Sequence, residues 1–185
     1  LYLTDAQSLL DEIQTRYSEG NSSMYRYREN PGLVAKIIKT DDGVMPSPNT
    51  VVAGLLFELG HFYYRPEYLE KSRDMVGALK DRFFQMPENY AGWGQLLLQQ
   101  QHPYFEVAIA GPRALEMRAQ MAQPFHPDVL LVASQTPTDL PLFESRFDPE
   151  TTRIFVCQDH TCRLPVNTVD EALVQLQSTP SFIFP

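Results

Sequence analysis

From Val51 to Tyr64 nearly every residue is apolar, and Glu58 and His61 are the clear exceptions. Ser47 stands just ahead as a capping hydroxyl. Pro48 follows at the first helical position, where a missing N–H costs nothing. The stretch therefore predicts a helix, and a helix apolar on all sides must be covered on several flanks. The remaining helices of a 185-residue chain do not obviously meet that demand. We expect neighbours from outside these residues, and a chain that opens on Leu1 rather than Met fits the same expectation.

The rest of the first half, residues 1–102, reads as helical hairpins. Thr4 and Gln7 have the spacing of a capping box. Ala6, Leu9, Leu10, Ile13 and Tyr17 then recur with helical period. Met24–Tyr27 and Leu33–Ile38 are expected as short extended pieces. A third helix should run from Pro66 to just before Pro87, and a fourth from Tyr90 to Gln100.

After His102-Pro103 the pattern changes. Tyr104–Ala110, Val129–Ala133 and Arg153–Cys157 are short apolar runs separated by helical stretches. Such alternation predicts a small α/β domain over 103–185 with three parallel strands. Thr168 and Glu171 form a second capping box ahead of a closing helix. Gln135–Glu150 reads as a polar, Pro-bearing connection with one helical turn near Leu140–Glu144.

Charge narrows the function classes. The formal net charge is −8, and residues 101–185 hold five Arg, no Lys and ten Asp+Glu. Nucleic-acid binding needs a basic footprint, and so does an anionic membrane surface. Neither half provides one, so neither partner is expected. No apolar run reaches the roughly 20 residues of a membrane span, and no signal peptide is visible in the opening residues. Two cysteines are too few for a disulfide scaffold, which makes a reducing, cytoplasm-like compartment the default.

Three segments together resemble the C-terminal region of the thioredoxin-domain-containing family that includes spermatogenesis-associated protein 20. They are DDGVMPSPN (41–49) with the apolar helix after it, FEVAIAGP (105–112) leading on to FHPDVLLVAS, and TRIFVCQDHTCRLPV (152–166). The resemblance implies the last hairpins of a six-hairpin (α/α) barrel followed by an α/β tail. Upstream barrel helices and a thioredoxin-like domain would then be partners within a longer parent. A barrel truncated in this way also predicts self-association of the fragment through exposed apolar faces.

Asp41, Asp42, Ser47 and Asn49 are the first candidate site. At a barrel mouth they would bind a small polar or sugar ligand, with a carboxylate available as general acid or base. The same composition also makes an ordinary capped turn. Trp93, beside Tyr90, is a candidate for stacking on a sugar ring or for core packing. Cys157 and Cys162, with His160 between them, suggest a redox pair, a disulfide, a metal site or simple packing. One cysteine pair and one histidine fall short of the four ligands of structural zinc, so no metal site is expected. Gly111-Pro112-Arg113 stands at a strand-to-helix turn but lacks the further glycines of a dinucleotide motif, so no cofactor is expected. His61 reads as a core residue.

Three functions follow: a structural and ligand-lining part with no complete active site, a piece of an epimerase-like or glycosidase-like enzyme, or an interaction or redox-linked module.

Overall fold

A computed structural model of the chain describes residues 2–26 and 38–177. Within them the fold is mixed α/β, with seven α-helices and one four-stranded sheet. The chain divides into two compact units. A helical unit takes the described residues up to His61 together with Arg65–Leu98, and an α/β unit takes Phe62–Tyr64 and the described residues from Gln99 onward. Of the expected extended pieces, Tyr27 and Leu33–Ile37 lie outside the described residues.

The helical unit is built from α1 (Tyr2–Tyr17), α2 (Pro48–Phe62) up to His61, α3 (Pro66–Gly77), α4 (Lys80–Gln85) and α5 (Ala91–Gln101) up to Leu98. Helix α2 starts as its residues dictate, with Ser47 Oγ accepting from the Thr50 N–H at 3.1 Å and Pro48 in the first position. It buries Val52, Ala53, Leu56, Phe57, Leu59, Gly60 and His61, while Val51 and Glu58 stay exposed. The segment is therefore covered on most sides but keeps one open stripe. Gly60 permits close approach to α3, since a Cβ there would stand 2.6 Å from Leu69 Cδ2.

Two local expectations need correction. Thr4 does not cap α1, because the helix already includes Tyr2 and Leu3. The single helix expected from Pro66 divides into α3 and α4, because Leu79 leaves helical geometry (φ −109°, ψ 1°) while burying its side chain.

The α/β unit contains β1 (Phe105–Ala110), α6 (Ala114–Met121), β2 (Val129–Ser134), β3 (Arg153–Gln158), β4 (Thr161–Cys162) and α7 (Val169–Gln177). The strand order is β2-β1-β3-β4. Strands β1 and β2 are parallel, joined by the crossover helix α6. The expectation of three parallel strands fails at β3, which runs antiparallel to β1. A parallel third strand would need a crossover that carries the chain back along the sheet. Between β2 and β3 there is only one 3-10 turn, Pro141–Phe143, so the chain re-enters the sheet from the end at which it left.

Alternation along β1 decides what lies on each face. Phe105, Val107 and Ile109 pack with Ala114, Met117 and Met121 of α6 and Ala172 of α7. On the other face, Ala108 and Ala110 pack with Leu142, Phe143, Leu130, Val132 and Phe155. Glu106 belongs to this second set by parity and has no exposed surface. At α7 the capping box forms in both directions: the Glu171 N–H donates to Thr168 Oγ1 at 3.3 Å, and the Thr168 N–H donates to Glu171 Oε2 at 3.1 Å. No described helix is long and apolar enough to cross a membrane.

Candidate functional site

In the helical unit, the loop from Asp41 to Asn49 turns most of its polar atoms inward. Asp42 accepts from the Ser47 N–H at 2.8 Å, from Thr50 Oγ1 at 2.5 Å and from the Gly92 N–H at 3.0 Å. Asn49 Nδ2 donates to the carbonyls of Tyr25 and Lys39, and its Oδ1 accepts from the Tyr25 N–H. Ser47 Oγ lies 2.7 Å from Thr50 Oγ1 and bonds the Thr40 carbonyl. Trp93, 2% exposed, donates its indole N–H to the same carbonyl at 2.8 Å. Tyr90 is buried, and His61 is buried edge-on against Phe57. These side chains hold together stretches of backbone that lack a regular ladder, a use that buried polar groups require. Asp41 is the half-exposed carboxylate of the loop, and the Lys39 ammonium 2.5 Å away holds it below the usual carboxylate range.

Gly111-Pro112-Arg113 is likewise committed. Helix α6 begins after it, the Arg113 N–H donates to Thr152 Oγ1 at 2.8 Å, and the Arg113 guanidinium forks onto Glu116.

In the α/β unit the second candidate group comes together. Cys157 and Cys162 are register partners of the β3–β4 hairpin and form a disulfide. The two-residue turn between these strands carries Asp159 and His160, with φ of +49° and +63°. Both central residues of a tight hairpin turn of this hand need positive φ, which glycine and asparagine provide at least cost. Here Asp and His bear it.

Three residues absent from the sequence-based candidates complete the group. Glu106 faces Cys157 across the β1–β3 register, so both side chains leave the same face of the sheet. Its Oε1 lies 3.6 Å from His160 Nδ1. Arg146 points one guanidinium nitrogen at each sulfur, 3.5 Å from Cys157 Sγ and 3.1 Å from Cys162 Sγ, and lies 5.1 Å over the Phe155 ring. Tyr64 packs its ring on His160 at 3.9 Å between centroids. Burial holds its phenol above the ordinary value, against the pull of Arg146.

Four described non-glycine residues have positive φ: Tyr64, Ser145, Asp159 and His160. All belong to this group or adjoin it. Such conformations cost on the order of 1 kcal/mol each and collect where a structure positions chemistry. The two sulfurs differ sharply in access. Cys157 is 1% exposed, whereas Cys162 is open to solvent. Among the described residues no group of three or more His, Cys, Asp or Glu is placed to hold a metal ion.

No family model matches this chain, and neither does any curated protein or solved structure. The chemistry of the group is thus read from its own geometry. One signal in the sequence does mark Glu106: it is the single charged residue in the apolar run FEVAIA. Arg146 and Tyr64 carry no comparable mark.

Proposed function

We propose that the α/β unit is a thiol–disulfide exchange module acting through Cys157 and Cys162. The observation that carries this reading is the asymmetry of the disulfide beneath Arg146. Exchange needs one sulfur that an incoming thiolate can reach and another that leaves as a stabilised anion. Cys162 is reachable, Cys157 is enclosed, and one guanidinium touches both. A neighbouring cation favours the thiolate. The cysteines are also only five positions apart. On the chain-entropy scale a loop that short stabilises the fold by only about 2 kcal/mol.

The test is equilibration of the chain in glutathione redox buffers, with free thiols alkylated and counted by mass. Reversible reduction is expected at a potential above about −300 mV, the region that structural disulfides avoid. A disulfide that stays closed down to that potential would be a structural staple, and the reading would fail.

The helical unit supports a second reading, in which it forms the last hairpins of an (α/α) barrel in a longer parent. Large apolar side chains stand exposed on it: Leu9 at 60%, Val51 at 56%, Phe84 at 66% and Leu98 at 60%. Missing neighbours would cover such surface. The 185-residue chain is then expected to self-associate at micromolar concentration, and less so when Val51 and Leu98 are both changed to Lys. Sedimentation as a monomer even at a concentration about ten times higher would count against this reading.

A further inference from the structure

We propose that Glu106 carries the proton which the Cys157 sulfur gains and loses in each redox cycle, and that His160 passes it between Glu106 and water. This rests on the exchange reading above and adds to it a residue from the strand next to the disulfide hairpin.

The need arises from burial. When the disulfide opens, Cys157 becomes first an anion and then a thiol, yet at 1% exposure it has almost no access to water. A group of the protein must therefore handle the proton. The polar groups gathered here are Glu106 from β1, Arg146 from the segment after the 3-10 turn, His160 from the β3–β4 turn, Cys162 from β4, and Tyr64. Arg146 holds a guanidinium against both sulfurs, which stabilises a thiolate there but is not a group that carries protons. Glu106 is the register partner of Cys157 and has no exposed surface of its own. His160 lies 3.6 Å from the Glu106 carboxylate, with its side chain 36% exposed, and so links the buried carboxylate to solvent. A carboxylate in the middle of a sheet costs stability that an apolar side chain would not. Proton transfer gives that costly placement a use.

The cycle balances with a dithiol as the reductant. A substrate thiolate attacks Cys162 Sγ, forming a mixed disulfide while the Cys157–Cys162 bond breaks. The electron pair of that bond stays on Cys157 Sγ, which takes a proton from Glu106. The second substrate thiolate then attacks the substrate sulfur of the mixed disulfide, and Cys162 leaves as a thiolate that is protonated from water. The substrate loses two electrons and two protons, the cystine gains both, and Glu106 recovers its proton through His160. In reverse, Glu106 takes the proton from Cys157 so that its thiolate can attack a mixed disulfide at Cys162.

The reverse direction gives the test. The reduced full chain is mixed with oxidised glutathione, quenched with acid at intervals over a range from mildly acidic to mildly alkaline pH, and weighed by mass spectrometry. In the wild type the Cys162–glutathione adduct should be resolved rapidly by Cys157. In Glu106→Gln the adduct should accumulate, with resolution about 100-fold slower near neutral pH. Its rate should rise with pH as hydroxide replaces the carboxylate. His160→Gln should show a smaller slowing and a displaced pH profile. Purely structural roles would leave both pH profiles unchanged, and that result overturns the proposal while leaving the exchange reading intact. Should Glu106→Gln fail to fold, an unaltered profile in His160→Gln overturns it equally. If the wild type forms neither adduct nor disulfide, the exchange reading itself falls, and this proposal with it.

Discussion

Asp42→Ala is expected to destabilise the helical unit by about 4 kcal/mol, because it strands the Ser47 and Gly92 N–H groups and leaves the Thr50 hydroxyl only Ser47 Oγ as a partner. The Ser47 N–H, the Thr50 hydroxyl and the Gly92 N–H all converge on this carboxylate, at 2.8, 2.5 and 3.0 Å. Each orphaned buried donor costs roughly 1–3 kcal/mol, and no regular ladder here offers a substitute partner. Asp42→Asn keeps the shape and one acceptor but turns an amide NH2 toward N–H donors, so about 2 kcal/mol of the loss should remain. Trp93 is the single tryptophan of the chain and bonds the Thr40 carbonyl beside this loop. Its fluorescence during urea unfolding therefore reports on this unit. Asp41→Ala is the matched control, since it removes the same charge from an exposed pair with Lys39 and should cost under about 1 kcal/mol. Coincident midpoints for Asp41→Ala and Asp42→Ala would show that Asp42 does not organise the loop.

That contrast marks how far the sequence can be read. The polar loop is legible as a capped turn, because Ser47-Pro48 and Thr168 with Glu171 act through neighbours within a few residues. Such local chemistry survives into the fold, and both caps form. Thr4 has the same spacing but fails, because the helix extends past it. Spacing alone does not say where a helix starts. Which of Asp41 and Asp42 turns inward depends on Gly92, far along the chain, and no local pattern encodes that.

The same limit separates Cys157 from Glu106. The cysteine pair, with His160 between, is visible in the sequence as a candidate, since its members share one hairpin. Glu106 joins them only through the β1–β3 register, where the expected parallel direction of β3 is wrong. A short apolar run looks alike in either orientation. The direction follows from the missing crossover helix between β2 and β3, and so from tertiary closure. Had β3 been parallel to β1, its pairing would have placed different residues opposite Glu106. The carboxylate can be noticed in the sequence, but its partner cannot.

Gly111→Ala is expected to cost the α/β unit about 4 kcal/mol, from overpacking and backbone strain together. Gly111 ends β1 with φ at +128°, a conformation that residues with a Cβ rarely adopt. The added Cβ would stand 2.5 Å from the Thr151 carbonyl oxygen and 2.6 Å from Thr152 Cα. Those are backbone atoms immediately ahead of β3, so no rotamer change relieves the clash. Thr152 Oγ1 also holds the Arg113 N–H, so shifting this segment disturbs the entry to α6 as well. Hydrogen exchange gives the measure: peptides covering Phe105–Ala110 should lose protection in Gly111→Ala, whereas Gly77→Ala, whose Cβ would meet nothing within 4 Å, should leave them unchanged. Equal protection in both variants would mean that β3 can retreat from β1 without penalty. The register that sets Glu106 opposite Cys157 would then be too loose to support proton transfer. A large loss confined to Gly111→Ala instead ties this glycine to the close approach of two chain segments, the condition under which the β1–β3 ladder and its buried carboxylate stay in place.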